Sequence, residues 1–286
     1  MIASALMLAG WLLSVAGSPP DTTVAMRRGD RVVMEGFNGS IQVRAWDRAE
    51  LSLTGAMDEA QDVAVSRVGD RLVVRPGERG GRRLPREIEL RLPSWAPLEM
   101  QGRTLDVDVS GATADVTVTT VEGNIVCAGV SGTLTLSTVD GTVEVRDARG
   151  PVTARSRDGD VMLVGVEGEV DAYSGSGDLT LEDVTATFVK AETLDGDLTF
   201  TGALAPGGSY SFSTHDGDAE LVLPAGTSAR ATVSTFDGEF ISDLPVTMQG
   251  IGRGVFEFVL GDGAALLEIK VFDGEIRLRS GTAVKQ

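Results

Sequence analysis

The chain has one cysteine, Cys127, and one histidine, His215, in 286 residues. A lone cysteine excludes an intramolecular disulfide framework, and its place deep in the chain excludes a lipoprotein anchor. One histidine and one cysteine give no Ser/His/Asp or Cys/His arrangement and no zinc-type cluster. Aromatic residues are 5% of the chain, which suits a narrow interior filled by small aliphatic side chains. Basic residues are outnumbered 25 to 42, a net charge of −17. The imbalance is local: residues 27–103 carry 14 arginines and 12 acids, whereas residues 104–286 carry 11 basic and 29 acidic residues. An acidic second half excludes nucleic acid, which needs clustered Lys and Arg, and argues against direct binding to anionic lipid. Beyond the first 18 residues no apolar run approaches membrane-spanning length.

What is present is glycine, 36 of it, at regular places. An acidic-Gly turn recurs at Gly123, Gly141, Gly159, Gly177, Gly196, Gly217, Gly238 and Gly274, in steps of 18, 18, 18, 19, 21, 21 and 36 residues. Seven residues before each turn stand Val116, Leu134, Val152, Val170, Val189, Tyr210, Ala231 and Leu267. Five before it, two after it and four after it the same like-with-like columns appear, for example Val118, Leu136 and Ala154, then Ile125, Val143 and Val161, then Cys127, Val145 and Leu163. Each run alternates with period 2, so these columns share one face of a strand and Cys127 takes a buried slot. A period near 20 with two short strands per unit predicts an all-β, single-stranded parallel β-solenoid, right-handed by the crossover rule.

Three columns flank the glycine. Three residues before it lie Thr120, Thr138, Ser156, Ser174, Thr193, Thr214 and Thr235, broken by Val271; their parity points inward, where stacked hydroxyls donate to one another and to the corner backbone. Acids stand immediately before it (Asp140, Asp158, Asp195, Asp216) and immediately after it (Asp160, Asp178, Asp197, Asp218). Turn chemistry explains them: a carboxylate before the glycine accepts from nearby N–H groups, and glycine takes the positive φ. The rival is a calcium-stiffened spacer, but calcium-binding β-roll repeats have a much shorter period. His215 falls in a surface-corner column with Val139, Arg157, Leu194 and Phe236 and is read as incidental.

The domain reading has three parts. Residues 1–20 form a signal peptide without Lys or Arg in its first region, with cleavage after Gly17 or slightly later; an uncleaved anchor is the alternative. Residues 24–103 form an N-terminal β cap with a first coil, Val32 and Met34 before the Asn38-Gly39 corner, Ile41 and Val43 after it. Strands are expected there at Glu50–Leu53, Val63–Ser66, Leu72–Arg75 and Ile88–Leu92, with a solvated loop carrying Arg79, Arg82, Arg83 and Arg86. Residues 104–286 form the solenoid, closed by a hairpin of Val255–Val259 against Ala265–Val271.

The opening from Asn38 to Val43, the strand from Glu89 to Pro93 and units such as Thr138 to Val145 resemble the bacterial adhesin-like family with β-strand repeats, a domain-of-unknown-function family of cell-envelope proteins. The resemblance spans about residues 30–280 and brings no catalytic residues. It implies a non-catalytic, exported envelope protein, periplasmic, cell-surface or extracellular, making multipoint contacts with glycan or with another envelope protein. A polysaccharide lyase or hydrolase on the same fold is the alternative. No catalytic, binding or metal residue and no cofactor is assigned from the sequence.

Overall fold

The computed structural model describes residues 22–55, 63–76, 87–252 and 254–281. The expected signal of residues 1–20 and the loop arginines Arg79, Arg82, Arg83 and Arg86 lie outside them. The described residues form 25 β-strands and no helix, in a mostly parallel β-solenoid.

A coil takes its name here from its corner glycine. In the Gly141 coil, Leu134–Asp140 leads into the corner and Val143–Arg146 leads out. Each strand pairs in parallel with its equivalent one coil on, Leu134 opposite Val152 and Val143 opposite Val161. The like-with-like columns therefore become buried ladders, in which each Val or Leu contributes about 1.5–3 kcal/mol by leaving water. A third interior ladder, Val130, Ala148, Val166 and Val184, closes the coil through single bridges from Ser131 to Arg149 to Glu167 to Thr185.

The corner is held three ways. Seven of the eight corner glycines run from φ +129° at Gly123 to +155° at Gly159 and Gly177; Gly238 lies outside the left-handed region. A Cβ on Gly177 would stand 2.6 Å from the Gly159 carbonyl carbon, so the space excludes any side chain. The inward hydroxyls donate to the glycine carbonyl of the preceding coil: Ser156 to Gly141 at 2.8 Å, Ser174 to Gly159 at 2.9 Å, Thr214 to Gly196 at 3.0 Å. They do not form the hydroxyl-to-hydroxyl chain expected from stacking. The carboxylate role also moves. The side chain after the glycine accepts the backbone N–H of its equivalent in the next coil, at 2.9 Å from Asp178 to Asp160, 2.8 Å from Asp197 to Asp178 and 2.9 Å from Asp218 to Asp197. The residue before the glycine contributes its main-chain carbonyl instead, as Asp158 does to Gly141 N–H.

At both ends the order of coils in space departs from their order in the chain. Arg31–Trp46 runs through its corner as one strand, with Leu98–Ser110 on one side. On its other side lie Arg71–Pro76 and Glu87–Pro93, so the segment expected to be a cap with one coil contains a second, outer coil. Antiparallel strands cover that coil: Val63–Val68 on the first half, Glu50–Gly55 on the second, Thr22–Ala25 beyond it. This hides the sheet edge of the stack from further parallel pairing. Arg67 fastens the cover, donating to Asp30 Oδ1 at 2.7 Å and to Ala25 O at 2.9 Å.

The far end corrects the expected hairpin. Val255–Leu260 and Ala265–Asp273 do not pair with each other; Ala229–Asp237 lies between them, antiparallel to the first and parallel to the second. Ala265–Asp273 in turn pairs with Ser209–Asp216. The last coil has therefore entered between the Gly217 and Gly238 coils, and Thr247–Ile251 pairs outermost on Val255–Leu260. The Gly-Asp-Gly segment between the two runs favoured a hairpin, but the columns of the last coil match parallel partners on both sides.

Candidate functional site

The corner column two residues before each glycine points outward. In the middle of the molecule it is mixed, with Val139, Arg157 and Gly175. Toward the C-terminal end it turns apolar and aromatic: Leu194 (47% exposed), His215, Phe272 (46%) and Phe236 (79%). The entry of the last coil places Phe272 between His215 and Phe236. The His215 and Phe272 rings are 4.5 Å apart, and Phe272 and Phe236 stack at 4.8 Å with 3° between their planes. That distance is the strand spacing, so the coil rise itself sets the ring stack. Both faces of Phe272 are taken; the outer face of Phe236 is free.

Beside this stack runs an open groove of about 600 Å³. Its floor carries the polar residues four before each glycine, Glu192, Ser213, Lys270 and Ser234, and Gly254 and Val255 form one lip. Lys270 is paired with Glu268 at 2.6 Å and Glu192 with Lys190 at 3.3 Å. The row before the glycines, Asp195, Asp216, Asp273 and Asp237, is exposed along the same edge. The groove thus offers an aromatic platform, hydroxyls and paired charges in a line of four coils, three spacings or roughly 14 Å long.

The one thiol is no part of the groove. Cys127 is buried and its thiol is pushed up to about 12, first by burial and then by the charge of Asp108. It lies five coils from His215, roughly 24 Å along the axis. Among the described residues, no three His, Cys, Asp or Glu side chains come together as a metal site. The aspartates after the glycines are engaged as backbone acceptors, which gives them a structural role.

The sequence placed His215, Leu194 and Phe236 in one column without marking it as a site. Phe272 has the same offset from Gly274. What stayed hidden was its position between the other two rings, because chain order puts Phe236 next to His215.

The family model described as Toastrack DUF4097 matches residues 38–279. No curated protein matches the chain. Among solved structures, a candidate cell adhesion protein from Clostridium sporogenes is 10% identical at a TM-score of 0.24, covering 92% of this chain and 100% of its own. A candidate adhesin from Bacteroides fragilis is 14% identical at 0.49, covering 91% and 96%. A candidate lipid binding protein from Parabacteroides distasonis is 10% identical at 0.42, covering 92% and 97%. At these identities and scores the likeness transfers no ligand and no activity to this chain.

Proposed function

This chain belongs to the Toastrack DUF4097 family, and from that premise we propose that it is an exported, non-catalytic module of the cell envelope that holds an extended glycan along its aromatic edge. The observation that carries this reading is the free face of Phe236, 79% exposed at the end of a ring stack and beside a hydroxyl-lined groove. A sugar ring has apolar C–H faces and a polar rim. Its face suits an aromatic platform, and its rim suits Ser213, Ser234 and the carboxylates before the glycines. A large exposed apolar group of this kind calls for a partner.

Non-catalysis is supported by the chemistry of the groove. Its charged floor residues are tied in ion pairs, and its acids repeat along an edge instead of converging on one point. Export rests on the apolar run of residues 1–20 and implies a mature chain beginning near Asp21.

The test is incubation of the exported chain with immobilised envelope and extracellular polysaccharides, following retention and released reducing or unsaturated ends together, with and without chelator. Retention without product supports the reading. Released product would replace it with a lyase or hydrolase, and chelator-sensitive retention would bring calcium into the site. Absence of retention on every polysaccharide would leave another envelope protein as the partner.

A further inference from the structure

The C-terminal coil, Ala265–Gly281, is the sole sheet connection, among the described residues, between the body of the solenoid and the unit formed by residues 229–260. That unit comprises the Gly238 coil and the two antiparallel strands packed on it. Its coil is seated on the C-terminal coil, yet its sequence is built for a different seat. From Gly196 to Gly217 to Gly238 the steps are equal, 21 residues each. The columns of the Gly238 coil also continue those of the Gly217 coil: Val233 follows Phe212, Thr235 follows Thr214 and Asp237 follows Asp216.

Hydrogen bonding points the same way. Along the stack, the residue three before each glycine donates its hydroxyl to the glycine carbonyl of the coil beneath: Thr138 to Gly123 at 3.1 Å, Thr193 to Gly177 at 2.9 Å, Thr214 to Gly196 at 3.0 Å. At the N-terminal end Thr120 departs from this rule, over a coil that has Leu105 in place of the corner glycine, and donates to Arg103 O at 3.3 Å and Glu122 O at 2.9 Å. The other two departures both touch the C-terminal coil. Val271, which has no hydroxyl, sits over Gly217, while the Thr235 hydroxyl is buried with no partner. Seated directly on the Gly217 coil, Thr235 would donate to the Gly217 carbonyl and complete the series. The linker that crosses the inserted coil, Ala225 to Ser228, holds the other buried unpartnered hydroxyl, Thr227.

We infer that the Gly238 coil has two seats. In the first it stacks directly on the Gly217 coil, in chain order, before the C-terminal coil has entered. In the second, seen here, the C-terminal coil has slipped between them as a latch. Ala265, Leu267, Ile269, Val271, Ile276 and Leu278 are all buried by that step, which makes the second seat the end point once the latch is available. Insertion is also the step that builds the groove, because Lys270, Val271 and Phe272 form its central wall. The two-seat arrangement stands on pairing and hydrogen bonding alone, whatever the groove binds.

The test uses the full chain with paired cysteines. Ser213 and Ser234 each lie opposite Lys270 in the inserted arrangement. Their Cα atoms are then two strand spacings apart, roughly 9.6 Å, but one spacing, roughly 4.8 Å, in the first seat. A disulfide needs Cα atoms within about 7 Å. In the otherwise unaltered chain, S213C with K270C should oxidise and S213C with S234C should not. Ile269→Asp places a charge between Phe212 and Val233 and disables the latch. In that background S213C with S234C should oxidise at least about ten-fold faster than in denaturant, as the ordered pair has a higher effective concentration. Thr235→Val adds a second readout. It should lower the melting midpoint of the latch-disabled chain and leave that of the parent unchanged or raised, since the parent hydroxyl has no partner. The proposal is overturned if the 213–234 pair fails to exceed the denatured rate, or if Thr235→Val acts equally in both backgrounds. It is also overturned if Ile269→Asp unfolds the body, because the Gly238 coil is expected to cap it.

Discussion

At the residue scale the corner is the element most sensitive to change. Gly159 sits at φ +155°, and a Cβ there would press into the Gly141 carbonyl oxygen. Gly159→Val is expected to cost at least about 1–3 kcal/mol from the backbone conformation alone, read as a lower denaturation midpoint. The residue after the glycine separates charge from hydrogen bonding. Asp178 accepts the Asp197 N–H at 2.8 Å, and Asn124 serves the same role toward Thr142 at 2.9 Å. Asp178→Ala should therefore cost about 0.5–1.5 kcal/mol, while Asp178→Asn should cost little; equal loss for both would mean that the carboxylate charge matters. The role of these acids was half legible. Their turn position was clear from Asp-Gly spacing, but which of the two flanking residues accepts depends on the coil-to-coil offset, which one chain cannot display.

At the element scale the sequence showed columns and concealed order. Parallel coils pair by matching columns, so any coil with Leu, Val or Ile at the right offsets can stack on any other. The pattern at Val32 and Ile41 was visible as a first coil. The coil of Leu72, Val74, Ile88 and Leu90 was hidden, because ten residues separate Pro76 from Glu87 in the sequence and break the offset between its two runs. The ladder of Val130, Ala148, Val166 and Val184 was missed for a similar reason: the return side of each coil varies in length, so its offset holds only across the 18- and 19-residue units. The N-terminal cover carries a pH-dependent tie. Asp30 is buried and its carboxyl is held below the ordinary range, chiefly by the hydrogen bond from Arg67 and then, against the cost of burial, by the Arg27 N–H at 2.7 Å. A lowered folded value means that its contribution is present above the unfolded carboxylate value near 3.9 and is lost as pH falls through the folded value. Asp30→Asn should thus lower the melting temperature at neutral pH, and the gap to the parent should close below about pH 4. A gap that stays constant with pH would show that shape, not charge, holds the cover.

At the scale of the whole molecule the solenoid is nearly one-dimensional between its two permuted ends. Each middle coil touches only the coils above and below it, so stability is close to a sum over neighbours. Removing Gly141 to Asp158, one full coil, should leave a shorter folded protein with its aromatic edge intact. Removing nine residues from the same place should unfold far more, because it throws every later column out of register. Circular dichroism and protease resistance read both outcomes, and equal damage from the two deletions would contradict coil-by-coil stacking. The ends behave otherwise, since there the chain crosses over its own stack. The groove sits at such an end, built from body, inserted coil and outer unit together.

The central claim is that this edge holds a glycan through Phe236. The most direct measurement is calorimetric titration of an oligosaccharide, cut from whichever polysaccharide retains the protein, into the parent and into Phe236→Ala. Phe236 is at the exposed end of the stack, so its loss should leave the fold and melting midpoint in place. The account expects affinity to fall about ten-fold, equivalent to about 1.4 kcal/mol, with no cleaved product in either case. Unchanged affinity in Phe236→Ala, or cleavage by the parent, would contradict it.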